Sequence, residues 1–405
     1  MPRNSKNPYP EHTFNISLIS RAVLPALLAG LMFTAAHPAQ AATSPKVIYA
    51  FQGYPNDGAS PGGGSLIFVA GYYYGTTQFG GTYNKGAVYR VNAAGSESIL
   101  YSFQGGSNDG CFPNGSLAYV KSAGALYGAT PNCGPNNAGV VYSIPLSGGS
   151  ETIIHSFTNG ADGGFPVAAP TLVGNTIYGT TTGAGALGAG TIYEWNLENN
   201  AFSTVYAFDP VVDNGGIPLT PLIPYGKKGL AGACNGGSLG QGAAFVFDLI
   251  SDTIVDRYLF TGGSEDGSSP YGNIAADKAG NIYGTDTAGA LGSGVVYQWT
   301  PGSTFVNLLH VFGSSSTDGQ FGNGVAYSET TRDLVGTTSG GGTNSVGTVF
   351  TLNLTSGAYQ VDVNFGGTIG ETPLDPPLLQ GDSLYVLTSL SPPKTFGIEI
   401  KYKFY

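Results

Sequence analysis

The chain has 405 residues, of which 65 are Gly, 25 Pro, 25 Tyr and 21 Phe, and only 10% are charged. Aromatics at 12% supply apolar area to bury and argue against disorder, while the absence of a Gly-x-y period excludes collagen. Three Cys, four His and a formal net charge of −10 give little support to redox chemistry, a Cys/His zinc site or a basic nucleic-acid surface.

The first segment reads as a leader. Arg3, Lys6 and Arg21 form a basic start, an apolar run follows from Ala22 to Ala36, and Ala39-Gln40-Ala41 is a cleavage pattern. These are the three parts of a secretory signal peptide. The run, broken by Pro25 and Gly30, is short of the ~20 apolar residues a membrane anchor needs. The expectation is a signal peptide over 1–41 and a mature chain from Ala42, secreted or periplasmic, with no membrane span. Removal takes three basic residues and one acid, Glu11, so the mature chain is more acidic still. His12 and His37 leave with it, and His155 and His310 remain.

Four landmarks then recur in fixed order. An aromatic strand ends at Phe51, Phe103, Phe157, Phe208, Phe260, Phe312 and Phe365. An Asp-Gly-x-x-Pro turn begins at Asp57, Asp109, Asp162 and Asp266. The copy from Asp213 to Pro218 is one residue longer, Asp318-Gly319 lacks the Pro, and the last copy reads Glu371-Thr372-Pro373. A Leu-Tyr-Gly-Thr-Thr segment follows, as at Leu126-Tyr127-Gly128-Ala129-Thr130 and Ile177 to Thr181, and then Gly-x-Val-Tyr, as at Gly86 to Tyr89 and Gly139 to Tyr142. Each segment is short, rich in Val, Ile, Tyr and Phe, and bounded by Gly, Asn, Asp or Pro, which are strand signals. A period near 52 residues with about four strands per unit is a β-propeller blade. Leucine-rich and helical solenoids do not fit that period, and the rungs of a β-helix are shorter.

The two ends set the blade count. The first strand, Val47 to Phe51, is of the Phe-ending type and stands alone. The last unit lacks that strand. The expected fold is therefore an all-β, seven-bladed propeller in one domain over 42–405, its ring closed by the N-terminal strand completing the last blade. Closure also removes an unpaired edge. With strands alternating in direction, the Asp-Gly turns and the Gly-rich loops after Leu-Tyr-Gly-Thr-Thr share one face.

The whole string of landmarks resembles the GloVer tandem repeat of bacterial exported proteins described by a choice of C-terminal anchor. The resemblance covers nearly all of the mature chain. It implies an exported or surface protein and brings no established reaction or catalytic residue. Two departures stand out. The chain ends Lys401-Tyr402-Lys403-Phe404-Tyr405, without a hydrophobic tail, which favours a freely released protein. Blade four has Ala231 at the Tyr position, preceded by Lys227-Lys228.

The candidate binding residues are the rim acids Asp57, Asp109, Asp162, Asp213, Asp266 and Asp318. They could present carboxylates to a ligand or hold a cation, calcium being the one such oxygens suit, although calcium takes six to eight oxygens and each turn offers one acid. The other reading is that each Asp caps its own turn, bonding N–H groups two residues on. Repetition around the ring favours that, because a catalytic site rarely repeats. No catalytic residue, metal or cofactor is assigned. Trp195 and Trp299, at equivalent positions in two blades, are either sugar-stacking platforms or packing residues. His155 and His310 stand where other blades have Tyr and read as ordinary strand residues. Cys111 and Cys133 lie in two loops of one blade and are expected to form a disulfide. Cys234, the odd one, is expected to be buried and inert.

Three functions compete. The first is a monomeric, non-catalytic exported protein that binds a glycan, a surface polymer or another protein, since Gly-, Thr- and Asn-rich loops suit polar, uncharged ligands. The second is a hydrolase or lyase acting on extracellular polysaccharide, which needs paired rim carboxylates ~5–10 Å apart. The third is a structural matrix protein. One acid inside the channel mouth of an unlike blade would favour the enzyme, and a uniform ring would favour binding.

Overall fold

Alternating apolar and polar positions between Gly- and Asn-rich breaks fold as short strands that reverse at tight turns. A computed structural model describes residues 45–405 apart from 212–214, 290, 382, 390–396, 399–401 and 404–405. Among these residues the helical element is a single 3₁₀ turn, Gly367–Ile369, and no helix is long and apolar enough to cross a membrane.

Four-stranded antiparallel sheets recur at the repeat period, each running in the expected order of landmarks. The second blade is Ala118–Val120, Ala125–Thr130, Val140–Pro145 and Thr152–Ser156. The third is Thr171–Val173, Thr176–Thr181, Thr191–Asn196 and Ala201–Ala207. In the first blade the innermost strand is split into Gly58–Pro61 and Ile67–Val69, both paired with Tyr72–Gly80. The innermost strands of the fifth and sixth blades, Ser268–Ala276 and Gly319–Ser328, touch through Asn273 and Gly324 and merge two blades into one sheet. That approach requires glycine: a Cβ on Gly272, at φ +74, would lie 1.9 Å from the Asn323 carbonyl oxygen. At the ends of the chain, Tyr49–Ala50 pairs antiparallel with Gly397–Ile398.

The core lies between blades. The Phe that ends one blade meets the aromatic residue of Gly-x-Val-Tyr in the next. Ring centroids are 4.8 Å apart for Phe51 and Tyr89, 5.1 Å for Phe103 and Tyr142, and 5.4 Å for Phe157 and Tyr193. Phe208–Phe245, Phe260–Tyr297 and Phe312–Phe350 repeat the contact at 5.1–5.5 Å. Nearly all are edge-to-face, the arrangement the ring quadrupoles prefer. The outer end of the same aromatic ring rests on the Gly of Tyr-Gly-Thr-Thr in its own blade. A Cβ on Gly128 would lie 2.4 Å from the Tyr142 hydroxyl, and Gly75, Gly179 and Gly284 face Tyr89, Tyr193 and Tyr297 in the same way. Two landmarks 13 or 14 residues apart are thus one packing unit, small beneath large.

Asp-Gly turns and the loops after Thr-Thr do share a face. Gly81 N donates to Asp57 O, Gly134 N to Asp109 O and Gly342 N to Asp318 O. This places Asp57, Asp109 and Asp318 on one side of the propeller.

Candidate functional site

Each described rim acid is built into the frame. Asp57 Oδ2 accepts from the Tyr49 hydroxyl at 2.7 Å and from Gln52 N at 2.6 Å, while Oδ1 accepts from Gly58 N. Asp109 Oδ2 accepts from Tyr101 at 3.0 Å and from Gln104 N. Asp266 takes Tyr258 at 3.0 Å, Thr261 N and the Thr261 hydroxyl. Histidine replaces Tyr in two blades: His155 Nε2 lies 3.0 Å from Asp162 and His310 Nε2 lies 2.9 Å from Asp318. Asp213 lies outside the described residues. The acids therefore cap, but through a different set of donors from the one expected. Besides the next residue's N–H in two blades, they bind an N–H five or four residues back and a Tyr or His eight or seven back. Each bond ties a turn to the Phe-ending strand before it.

The electrostatics fit this role. Burial raises Asp318, but bonds from His310 and Ser314 outweigh it and hold the carboxyl at about 2. Burial lowers His155 despite Asp162, so its ring is held toward the neutral form. A third residue from the following blade completes each cluster. Phe202 stacks on His155 at 3.5 Å, and Tyr359 stacks on His310 at 3.5 Å. Where the partner is Tyr, the equivalent positions of the first two blades hold Glu97 and Glu151. Burial and a hydrogen bond to Asp109 raise Glu151 to about 9, which favours its protonated form at neutral pH. Glu97 is raised to about 7 by burial and the charge of Asp57. Sequence reading missed these residues. Their signal was a fixed place six residues before each Phe.

Trp299 is fully buried, with its indole N–H on the Ser303 carbonyl at 3.3 Å, so it has no face to offer a sugar. Trp195 is half-buried and packs beside Tyr127 and Ile177. Cys111 and Cys133 form a disulfide between the Asp-Gly turn and the neighbouring loop, bridging the paired segments Gly110–Cys111 and Asn132–Cys133. Cys234 is fully buried, and burial pushes its thiol up to about 11, which leaves it protonated. Among the described residues no three His, Cys, Asp or Glu converge as metal ligands.

A different site lies where the innermost strands meet. A cavity of about 110 Å³ opens between blades one to five and seven. One wall is polar, with Asn114, Ser116, Tyr271, Asn273 and Asp375. The wall from blades three and four is apolar, with Val167, Ala168, Ala169, Leu219 and Pro221. Asn114 Oδ1 accepts from Gly63 N at 2.8 Å, and Asn273 Nδ2 donates to the Ser65 hydroxyl at 3.0 Å. Ser65 in turn donates to the Pro376 carbonyl, so blades five, one and seven are linked by hydrogen bonds. Asp375 is 4% exposed and burial alone raises it well above the carboxylate range. No landmark marks this residue; only its position in the bend between Glu371–Pro373 and Leu378–Gln380 brings it to the cavity.

By structure, the WD40 β-propeller domain of Doa1 aligns at a TM-score of 0.57 and 9% identity, covering 90% of this chain and 98% of that one. The likeness shows the β-propeller fold. BamB from Moraxella catarrhalis aligns at a TM-score of 0.46 and 12% identity, over 84% of this chain and 96% of that one. No curated protein matches the chain by sequence. A family profile described as the Gloeobacter/Verrucomicrobia repeat matches residues 29–245.

Proposed function

The chain belongs to the Gloeobacter/Verrucomicrobia repeat family, and from that membership we propose a non-catalytic, exported β-propeller that binds a neutral polar ligand: a glycan, a surface polymer or a protein. In this reading residues 1–41 are removed as a secretory leader, and the mature protein works as a secreted or periplasmic monomer. Its ring has seven blades and is closed by the N-terminal strand. The pairing of Tyr49 with Ile398 supports closure, as does the Phe51–Tyr89 contact, which repeats the interface seen between later blades.

The observation that carries the function is the occupation of the rim acids. Every described member accepts hydrogen bonds from its own frame, so a carboxylate pair free to flank a scissile bond is missing among them. Glu151 and Asp109 share the Tyr101 hydroxyl, at 3.4 and 3.0 Å, inside a part-buried cluster rather than flanking an open cleft as glycoside hydrolysis needs. One acid does lie in the axial cavity, the feature that would favour an enzyme. Asp375 is the sole acid of that lining, however, and no other carboxyl contributes to its shift. A lone neutral carboxyl can donate or accept a hydrogen bond but has no second carboxyl to act as base or nucleophile.

A glycan array run beside a hydrolysis assay on plant and microbial polysaccharides tests the reading. Retention without cleavage is the expected result. Cleavage that disappears on a single Asp→Asn change would overturn it.

A further inference from the structure

The fold leaves two polar groups of the axial cavity without partners: Ser116 Oγ, in a residue 9% exposed, and Asp375 Oδ2, in one 4% exposed. Native chains keep few such groups, because each costs roughly 1–3 kcal/mol when nothing bonds it. Here two line one cavity, in the segments that lead into inner strands of blades two and seven. We infer that this cavity is a binding site for one terminal sugar unit, or a neutral polyol of that size, held by Ser116, Asp375, Asn114 and Asn273. The inference rests on the neutral-ligand reading above and gives that ligand its place.

Size, polarity and charge all select this class. About 110 Å³ holds roughly three to four waters. The hydroxyls along one edge of a sugar ring can replace such a water cluster. Asn114 has spent its carbonyl oxygen on Gly63 and keeps its NH₂ to donate, whereas Asn273 has spent its NH₂ on Ser65 and keeps its carbonyl to accept. Ser116 does either. Asp375, kept neutral by burial, also offers a donor and an acceptor. That mixture matches hydroxyl groups, which are donors and acceptors at once. The facing wall of Val167, Ala169, Leu219 and Pro221 suits the C–H face of a sugar. A phosphate or other anion would find no Lys or Arg in the lining, and calcium would find one carboxyl where it needs six to eight oxygens.

Ligand-observed saturation-transfer NMR on the full chain, with methyl glucoside, galactoside, mannoside and N-acetylglucosaminide as probes, tests the site. At least one probe should bind the wild type. Asp375→Asn keeps a neutral donor and acceptor and should stay within about threefold. Asp375→Leu should weaken binding at least tenfold while leaving the melting temperature equal or higher, since it removes an unpartnered buried group. Ser116→Ala should weaken binding severalfold, and it decides the matter if the Leu variant does not fold. Unchanged binding in Asp375→Leu or Ser116→Ala would overturn the site yet leave the neutral-ligand reading intact. Loss in Asp375→Asn, joined to stabilisation of the wild type by calcium chloride alone, would make it a cation site instead. A wild type that binds none of the probes also overturns the inference, while retention on the array would then locate binding elsewhere on the ring.

Discussion

Glu151 brings a second carboxyl near buried Asp109, and burial together with that neighbour favours its protonated form. Its folded-state value, about 9, stands above the ordinary 4.5. An acid raised in the folded state makes that state bind more protons than the unfolded one. Stability is therefore full below about pH 4.5, falls as pH rises toward 9, and levels off beyond. Glu97 adds the same effect over pH 4.5 to 7. Glu151→Gln should therefore melt near the wild type at pH 4 and several degrees above it at pH 9; parallel melting curves at both pH values would contradict a raised Glu151. Asp318 acts in the opposite sense, contributing above its ordinary 3.8 and losing that contribution as pH falls through about 2. A second residue-scale expectation concerns the packing of Tyr on Gly. The hydroxyls of Tyr89, Tyr142, Tyr193 and Tyr297 are buried without partners, and blades four and six already use Phe245 and Phe350 at that place. Tyr142→Phe should be neutral or raise stability by up to about 1 kcal/mol. Gly128→Ala should cost about 1–3 kcal/mol by overpacking, as read by denaturant unfolding.

Strands were readable from the landmarks because each carries its own local signal: β-branched and aromatic residues between turn residues. What joins two strands was less so. The partner of each described rim acid lies on the preceding strand, seven or eight residues back, and the regular spacing of Tyr or His to Asp records it. The reading instead looked downstream, where turn caps usually lie. The bulge in the outer strand pair was not foreseen either. It falls just before the aromatic residue in five blades, as between Val141 and Tyr142, but one residue later than that aromatic in blade four, between Val246 and Phe247. Packing against the next blade sets such positions, so a single strand does not announce them. The disulfide acts at this scale as well. It closes a loop of 22 residues, and chain entropy assigns such a loop about 3 kcal/mol. The double variant Cys111→Ser/Cys133→Ser should lose about that much in chemical denaturation, and reduced wild type should match it; an unchanged midpoint would show the staple to be idle.

Ring closure is a property of the whole molecule. If Tyr49–Ala50 completes the last blade, Phe51→Ala should destabilise as strongly as Phe208→Ala, about 3–5 kcal/mol, because both remove a fully buried ring from an inter-blade contact. Deleting residues 45–52 should further expose the edge beside Gly397–Ile398 and promote association, measurable by light scattering. A near-neutral Phe51→Ala would argue for an open ring. The amino-acid order alone settled the repeat, the strand types and the family, because periodic local patterns survive without knowledge of distant contacts. It also brought Cys111 and Cys133 into neighbouring loops, since a repeat makes equivalent positions comparable. The axial cavity was decided by tertiary structure only. Ser116 and Asp375 are 259 positions apart, carry no motif, and share a cavity because inner strands of different blades converge on one axis. Burial there turns an ordinary Asp into a neutral hydrogen-bonding group, a change that depends on surroundings its neighbours in sequence do not reveal.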